Sequence, residues 1–263
     1  MTKLTVIGGG KMGEALVGGL IGAAWALPDE IVVVEPVPAR REELANQHEG
    51  LGVEEVAGPL ADVLIAVKPN HCEAVCASIS MLEPRRVLSI AAGVTTASLE
   101  GWLPAGTRVI RAMPNTPALV GAGMAALAGG VHADSDDMGW ASEILASVGE
   151  VVVLSETAMD AVTGVSGSGP AYLFLLAEAL VDAAVSVGLD PVTADTLVRQ
   201  TLFGSARLLA ESGEDAAQLR ANVTSPGGTT AAGLAVFEAA GLRGIVDDVV
   251  AAATRRSKEL GSN

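Results

Sequence analysis

Leu-Thr-Val-Ile-Gly-Gly-Gly-Lys-Met-Gly-Glu-Ala-Leu-Val-Gly-Gly-Leu, residues 4–20, is the stretch that decides the fold. A short apolar run ends at Ile7, a glycine-rich loop follows, and an apolar helical pattern continues through Ala15, Leu16 and Leu20. The change from a strand-like run to a helical period predicts a strand, a turn and a helix in succession. We expect this unit to begin a parallel sheet that is covered by helices.

Three glycines of the loop have separate tasks in a dinucleotide-binding turn. Gly8 permits the tight turn, Gly10 lets a pyrophosphate approach the backbone, and Gly13 lets the helix pack closely on the strand. The phosphates lie on the open amides and the positive dipole end of the helix. We therefore predict a cofactor site at Gly8, Gly9, Gly10, Lys11, Met12 and Gly13. The alternative is a glycine turn with no ligand.

An acidic residue follows the second predicted strand. Glu35 comes directly after the apolar run Ile31–Val34, at the distance from the loop where a carboxylate meets the ribose of a dinucleotide. Strand and helix patterns then alternate, which predicts an α/β fold class with a Rossmann-type doubly wound sheet in the first half. Further strands are expected at residues 63–67, 87–91, 108–113, 123–127 and 151–154, and helices at about 39–49, 72–79 and 136–148.

Three predicted strand ends combine small or rigid residues with exposed backbone groups. They are residues 67–70, 91–94 and 113–117. Ligands of doubly wound sheets bind at the carboxyl ends of the strands, so a ribose or nicotinamide is expected near these three loops. Ordinary loop chemistry is the alternative for each of them.

The pattern changes near Ser155, after which only helical stretches follow. Helices are expected at about residues 169–187, 192–212, 216–222, 229–240 and 242–260. Asp190 before Pro191 is a helix-start signal, and Gly188 closes the preceding helix. We predict a dinucleotide-binding domain over residues 1–157 and an all-helical domain for substrate binding and dimerisation over residues 158–263.

Two glycine-rich motifs open helices in the second half. The first is Ser-Gly-Ser-Gly-Pro-Ala at residues 166–171, and the second is Val-Thr-Ser-Pro-Gly-Gly-Thr-Thr at residues 223–230. Two glycines followed by two threonines at a helix start form a nest, a concave group of backbone amide donors, with hydroxyls beside it. Such a nest suits a carboxylate or a phosphate. An elaborate helix cap is the alternative.

Composition excludes several classes of partner. The formal net charge of −15 disfavours nucleic acid. Cys72 and Cys76 are four apart without a second pair, and the three histidines are scattered, so we expect no metal. Residues 171–187 are the most apolar run, but they include Glu178 and Asp182, so we expect a buried helix and no membrane span. No signal peptide is evident, and a cytoplasmic location is expected.

Together the motifs resemble those of pyrroline-5-carboxylate reductases. The resemblance rests, in order along nearly the whole chain, on residues 8–13, 67–69, 111–117, 160–172 and 224–230, and the last two motifs are close to diagnostic. It implies reduction of the cyclic imine Δ1-pyrroline-5-carboxylate to L-proline with NAD(P)H, the last step of proline biosynthesis. It also implies homodimers with interlocked helical domains, which can assemble further into rings.

Residue roles follow from this resemblance by position. It implies cofactor contacts, beyond the glycine loop, at Ala66, Val67, Lys68, Pro69, Ala91, Ala92, Gly93, Asn115 and Asn222. It implies substrate contacts at Ser225, Gly227, Gly228, Thr229, Thr230 and, less securely, Glu156. Thr230 is the implied catalytic residue, with its hydroxyl directed to the ring nitrogen, and Asn222 is implied to reach the cofactor across the dimer.

An argument from absence also favours an imine as the substrate. Reduction of a ketone needs an acid for the forming alkoxide, commonly His, Lys or Tyr. After Lys68 the only lysine is Lys258, the last histidine is His132, and the single tyrosine is Tyr172 in the apolar helix. An iminium nitrogen is protonated before reduction, so little acid is needed. The rival hypotheses are a related reductase acting on a hydroxyacid or another imine, and a non-catalytic dinucleotide sensor.

The sequence departs from the commoner family pattern at the cofactor ribose. Many members have a small polar residue followed by a basic one after the second strand, where this chain has Glu35. A carboxylate there prefers the free 2′-hydroxyl of NADH, whereas Arg40 and Arg41 just beyond could offset that preference. On family habit the expected cofactor is NADPH, which also makes Arg40 a candidate contact, with NADH as the alternative.

Overall fold

The structure is a computed structural model that describes residues 2–60 and 62–261. The chain divides into two compact units, Met1–Ser168 with Ala251–Asn263, and Gly169–Val250. The predicted boundary after residue 157 stays a prediction, and each unit is described by itself below.

An eight-stranded sheet forms the centre of the first unit. Its strands are β1 (Leu4–Ile7), β2 (Ile31–Val34), β3 (Gly52–Glu54), β4 (Asp62–Ile65), β5 (Arg86–Ser89), β6 (Arg108–Met113), β7 (Gly123–Gly129) and β8 (Gly149–Val153). The strand order is β3-β2-β1-β4-β5-β6-β7-β8, and every pair is parallel except β6 with β7. The order reverses between β1 and β4, so the carboxyl ends of these two strands form the crevice in which doubly wound sheets bind ligands.

Helices accompany the strands of this unit. They are α1 (Lys11–Gly22), α2 (Pro38–Gln47), α3 (Cys72–Ser80), α4 (Thr96–Trp102), α5 (Ser135–Ala146) and the short α6 (Met159–Val162). The apolar strand residues are buried in two main clusters, one containing Leu16 and Leu20 of α1 with Leu64, the other containing Cys72 and Ile79 of α3. Strands covered on both faces read as continuous apolar runs, which explains why they are visible in the sequence.

The second unit is entirely helical. Its helices are α7 (Gly169–Ser186), α8 (Pro191–Glu211), α9 (Ala216–Asn222), α10 (Thr229–Ala239) and the first part of α11 (Leu242–Gly261), whose last turns belong to the first unit. The helix-start signal is confirmed, because the carboxylate of Asp190 accepts the amide of Thr193 at 3.0 Å. Gly188, at φ 106°, follows the end of α7 as predicted.

The expectation that residues 171–187 form a buried helix is wrong for the single chain. Leu173, Phe174 and Leu175 are each more than half exposed. The reason is that α7 packs against α8 in a unit too thin to cover both faces of the helix. Among the described residues one helical stretch, Glu156–Ser186, is long enough and apolar enough to cross a membrane, judged by length and composition alone. That is weak evidence, because core helices pass the same test.

Three elements were missed by the sequence analysis, namely β3, α4 and the short α6. The strand β3 has three residues at the sheet edge, and Val53 is its single large apolar side chain. The helix α4 spans seven residues, and its N-cap is Thr95, whose hydroxyl accepts the amide of Ser98 at 3.1 Å. The predicted strand over 63–67 ends at Ile65, and Ala66 and Val67 beyond it line the cavity described below.

Candidate active site

The glycine loop after β1 lies against the loop after β4. Gly8 has φ 106°, and a Cβ on it would come within 2.7 Å of the Ala66 carbonyl oxygen. A Cβ on Gly13 would overlap the carbonyl oxygen of Gly8. Both positions therefore require glycine, one for the turn and one for close packing of α1, as the sequence predicted.

The amino end of α1 is open towards the crevice at Gly10. Gly10 is the N-cap of α1 and provides no side-chain cap, and nothing lies within 4 Å of the place where its Cβ would be. The first amides of a helix have no intrahelical carbonyl to bind, so this end is a ready-made anion site. Lys11 beside it is exposed and lies 3.3 Å from the carboxylate of Glu14, and Met12 packs against the core.

Glu35 closes the crevice at the end of β2. One of its carboxylate oxygens accepts the Gly9 amide at 3.0 Å, and the other accepts the Val37 amide at 3.0 Å. The residue is 8% exposed. Two backbone amides thus hold the carboxylate between the glycine loop and the chain that follows β2.

Arg40 on α2 is part of the same loop support. Its Nε donates to the Gly9 carbonyl at 2.7 Å, and its other nitrogens contact the carboxylates of Glu43 at 2.7 Å and Glu14 at 2.6 Å. Burial is the largest influence on the pKa of Glu14 and raises it, but the hydrogen bonds from Arg40, Lys11 and Gln47 and the charge of Arg40 together leave this pKa lowered. Arg40 therefore binds the loop and its carboxylates in the structure.

A cavity of about 710 Å³ extends from this loop along the carboxyl ends of β1, β2 and β4. Predicted cofactor residues that line it are Gly8, Gly10, Glu35, Ala66, Val67 and Lys68. Its remaining wall is mostly apolar and comes from Val34, Val37, Val56, Ala74 and Val75. A mostly apolar cleft with a few polar groups beside an anion-binding helix end suits a nucleoside with its phosphates.

The loop after β5 is shaped by a glycine and by the end of α11. Gly93 has φ 78°, and a Cβ on it would meet Leu260 at 3.3 Å. Ala91 is buried, and Ser257 of α11 donates to the carboxylate of Asp160 at 2.7 Å. Ala91, Ala92 and Gly93 do not line the 710 Å³ cavity, so their predicted cofactor contact stays a prediction.

Asn115 has structural partners on both sides of its amide. Its Oδ1 accepts the Met124 amide at 2.9 Å, and its Nδ2 donates to the Ser166 carbonyl at 3.0 Å. Ser166 lies in a π-helical turn, Thr163–Gly167. The side chain thus joins that turn to the start of β7, a role that the sequence did not indicate.

Glu156 lies in the first unit and is paired with Arg111 on β6. The Arg111 guanidinium contacts one Glu156 oxygen at 2.7 Å, and the Thr96 amide donates to the same oxygen at 3.3 Å. Within residues 2–60 and 62–261, the second Glu156 oxygen is buried without a hydrogen-bond partner, as are two nitrogens of Arg111. The pair holds β6 near the start of α4.

The second predicted site lies at the start of α10. Gly227 has φ 70°, Gly228 is the N-cap without a side-chain cap, and the Gly228 amide donates to the Ser225 carbonyl at 3.0 Å. Thr229 and Thr230 form the first turn, and both are exposed. The open amides, two hydroxyls and helix dipole form the nest that the sequence predicted.

Asn222 ends α9 and lies in a small polar group of the helical unit. Its Nδ2 donates to the Glu214 carboxylate at 2.9 Å, and its Oδ1 accepts from Gln218 at 2.7 Å. The predicted contact with a cofactor stays a prediction, since these neighbours alone account for the side chain.

Neither metal nor thiol chemistry is indicated. Across the described ranges no group of three or more His, Cys, Asp and Glu side chains is placed to hold a metal ion. Cys72 and Cys76 are free and buried, and burial raises the pKa of Cys72 to about 11 and that of Cys76 to about 12. Both thiols therefore stay protonated and serve as packing.

Comparisons with known proteins place the chain in one family. The family model for pyrroline-5-carboxylate reductase dimerisation matches residues 156–260, and a model for NADP oxidoreductases, coenzyme F420-dependent, matches residues 3–93. A pyrroline-5-carboxylate reductase from Synechocystis is 45% identical, with 98% of each chain covered. One from Mycobacterium leprae is 44% identical over 99% of this chain and 97% of the relative. The chain belongs to the pyrroline-5-carboxylate reductase family.

Solved structures of this family share the fold. A pyrroline-5-carboxylate reductase from Coxiella burnetii superposes with a TM-score of 0.91, at 36% identity and 98% coverage of both chains. The Plasmodium falciparum pyrroline carboxylate reductase with NADP bound has a TM-score of 0.86, at 31% identity, with 99% of this chain and 98% of that chain covered. The predicted fold class, a Rossmann-type sheet followed by a helical dimerisation domain, is confirmed, and the chain is an NAD(P)-dependent oxidoreductase of this family.

Several lining residues of this family member were missed in the sequence. Glu55, Val56 and Ala57 line the cavity because they follow the overlooked strand β3. His71, Ala74, Val75 and Ser78 line it from the chain after β4. Ala74, Val75 and Ser78 lie on one face of α3. Their helical spacing is the signal in the sequence that could have identified them, once α3 was placed beside β4.

Proposed function

We propose that this chain reduces Δ1-pyrroline-5-carboxylate to L-proline with a nicotinamide dinucleotide as the hydride donor. The observation that carries the proposal is the nest at α10, where Gly227 and Gly228 leave the first amides of the helix open beside Thr229 and Thr230. A carboxylate is the anion that this substrate offers. Membership of the family and the presence of a dinucleotide crevice support the same reaction.

The substrate carboxylate is held by backbone amides at the start of α10. Gly228 adopts φ −79° and ψ 172° as the N-cap, and Ser225 lies so close that a Cβ on Gly228 would overlap its Oγ. Ser225, Gly227, Gly228 and Thr229 are the proposed carboxylate contacts. Amides fixed by the helix need no reorganisation when the anion binds, so binding also orients the ring.

The cofactor is held by the glycine loop and the 710 Å³ cavity. The residues fit it, because Gly8 and Gly13 admit no Cβ and Gly10 leaves space where a pyrophosphate approaches α1. The apolar wall at Val34, Val37 and Val75 suits the adenine. When bound, the nicotinamide supplies the hydride. The remaining proposed contacts are Gly9, Lys11, Met12, Ala66, Val67, Lys68, Pro69, Ala91, Ala92, Gly93, Asn115 and Asn222.

The protein has little proton chemistry to perform. The imine nitrogen is protonated before its carbon accepts hydride, and no alkoxide forms, so a strong general acid is unnecessary. We propose that the Thr230 hydroxyl, or a water that it holds, hydrogen-bonds to the ring nitrogen. Glu156, whose second oxygen is buried and unpartnered within the described ranges, is a proposed acidic neighbour of the substrate. The acceleration then comes mainly from positioning.

The test is oxidation of the reduced cofactor on adding Δ1-pyrroline-5-carboxylate, with L-proline identified as the product. Thr230→Ala should lower kcat by about 100-fold, the scale expected when a contact that positions the ring is lost, with cofactor affinity unchanged. Thr196→Ala is the matched control, because Thr196 lies on α8 and its hydroxyl donates to the Val192 carbonyl. Turnover equal in parent and Thr230→Ala would remove Thr230 from the mechanism, and no proline from the parent protein would remove the reaction.

The proposed assembly is a homodimer with interlocked helical domains, which can associate further into rings. The dimerisation model over residues 156–260 supports a partner, and so do exposed Leu173, Phe174 and Leu175 on α7. A cytoplasmic location is proposed because the two cysteines are free. Light scattering during gel filtration tests the assembly, and a monomer mass at micromolar concentration would contradict it.

A further inference from the structure

We infer that Glu35 makes this enzyme select NADH over NADPH, which rests on the proposed function for the presence of a nicotinamide cofactor. The two cofactors differ only at the adenosine ribose, where NADPH carries a 2′-phosphate. In doubly wound folds that ribose lies at the end of β2, and an acidic residue there binds the 2′-hydroxyl. In this chain the residue at that place is Glu35.

Glu35 is fixed before any ligand arrives. Its two carboxylate oxygens accept the amides of Gly9 and Val37, and its own amide donates to the Glu54 carbonyl at 2.9 Å. The side chain is nearly buried and lines the cavity. A phosphate beside this carboxylate would face a negative charge that cannot swing away and that water screens poorly.

Arg40 is not available to offset this charge. It is the nearest basic residue after β2 in the sequence, and its three nitrogens are engaged with the Gly9 carbonyl and the carboxylates of Glu43 and Glu14. Hydrogen bonds to Glu43 and Glu14 raise the pKa of Arg40, which reflects this strong pairing. Turning Arg40 to a phosphate would break contacts that hold the glycine loop.

Arg41 is engaged in a similar way. Its Nη1 donates to the carbonyls of Glu35 and Pro36, both at 2.9 Å, and its Nη2 contacts the Glu55 carboxylate at 3.3 Å. The chain between Glu35 and Ala39 is Pro-Val-Pro and offers no hydroxyl or basic side chain. The lysine and the histidine that line the cavity, Lys68 and His71, belong to the turn after β4, and not to the chain that follows β2.

Direct binding measurements without substrate test this inference. Titration followed by fluorescence of the reduced nicotinamide should give a Kd for NADPH at least about tenfold above that for NADH, as expected for like charges placed together. Competition should give the same order, with AMP displacing NADH better than adenosine 2′,5′-bisphosphate does. Equal affinities, or tighter NADPH binding, would overturn the inference.

The variant Glu35→Gln assigns the effect to one residue. It removes the charge at nearly constant shape, so the ratio of the two Kd values should fall to about threefold or less, mainly through tighter NADPH binding. Glu42→Gln is the control, because it removes the same charge from an exposed position of α2 and should leave the ratio unchanged. A parent ratio that persists in Glu35→Gln would show that another group discriminates.

The two hypotheses fail in different ways. A protein that prefers NADH in binding but makes no proline would lack the proposed reaction and keep the cofactor preference. A protein that makes proline with NADPH bound as tightly as NADH would keep the reaction and lose the inference. If Glu35→Gln does not fold, the parent Kd ratio and the two adenosine competitors decide alone.

Discussion

The two units of the chain bury their apolar residues in opposite ways. In the first unit the strands β1, β4, β5 and β6 are covered on both faces, and Leu64 and Leu88 are fully buried. In Gly169–Val250, which the structure describes completely, Ala194 is the one buried hydrophobic residue. The first unit therefore contains its own core, whereas the second has a helical framework whose apolar faces need another molecule.

The difference explains why the second unit is so rich in apolar residues. A membrane-like hydropathy arises there because α7 supplies Leu173, Phe174 and Leu175 to a surface that one chain leaves open. Obligate dimer interfaces resemble a domain core divided between two chains. We expect folding of the second unit to depend on protein concentration and folding of the first unit to depend on its own packing.

The largest effect is expected from a charge on α7. Phe174→Asp, at a side chain 67% exposed in the single chain, should abolish the proposed dimer, because an unpaired carboxylate in an apolar interface costs several kcal/mol. Met81→Asp is the matched control, since Met81 is 88% exposed in the first unit. Light scattering should give a monomer for the first variant only. If Phe174→Asp remained a dimer at low micromolar concentration, the apolar face of α7 would not be the surface that needs a partner.

A core truncation in the first unit should be next in size. Leu88→Ala removes a fully buried side chain from β5 and should lower the free energy of unfolding by about 3 kcal/mol. Because this core lies within one chain, the loss measured by denaturant unfolding should be the same at low and high protein concentration. A loss that shrinks as concentration rises would show that the first unit also depends on a partner.

Substitutions at two glycines of the loop after β1 should have different effects, one on stability and the other on cofactor binding. Gly13→Ala places a Cβ against the Gly8 carbonyl and should cost about 1–3 kcal/mol of stability. Gly10→Ala meets no protein atom within 4 Å and should leave the melting temperature nearly unchanged, while it weakens binding of the reduced cofactor. Calorimetry and fluorescence titration give the two readouts. Equal destabilisation by both variants would mean that packing alone selects these glycines.

The smallest effect concerns the two thiols on α3. Burial raises the pKa of Cys72 to about 11 and that of Cys76 to about 12, above the ordinary value of about 9. Unfolding exposes thiols that ionise above pH 9, so their stabilisation is present below pH 9 and is lost as pH rises towards 12. Between pH 9 and pH 11 the free energy of unfolding should therefore fall less in the double variant Cys72→Ala/Cys76→Ala than in the parent protein. Parallel curves for parent and variant would contradict this linkage.

Local patterns were sufficient for much of the fold. The glycine loop, the strand before Glu35 and the start of α8 at Asp190 each carry a signal within a few residues. The strand β3 carries none, because three residues at an edge owe their conformation to pairing with β2. The antiparallel direction of β7 follows instead from the short connection of residues 114–122, because a parallel crossover needs about a dozen residues or more.

The glycine motifs of the candidate site were predictable from the sequence, but the hydrogen bonds that its side chains make to distant residues were not. Gly8, Gly13 and the nest at Gly227 and Gly228 are recognisable because each meets a backbone requirement. The engagement of Arg40 is invisible in the sequence, because Glu14 is 26 residues from it and the Gly9 carbonyl 31. The same holds for Asn115, whose partner Ser166 is 51 residues away. Hydrogen bonds between residues so distant in sequence become visible only in the tertiary structure.

The division of the first unit between two parts of the chain has a consequence for synthesis. Residues up to Ser168 emerge from the ribosome first, yet the turns of α11 that contact Gly93 follow only after the whole of Gly169–Val250 has been made. Domains generally fold as units during translation, from the amino end onward. The loop after β5 therefore lacks its packing partner until the end of α11 has been synthesised. The whole of Gly169–Val250 is made while that loop is still uncovered.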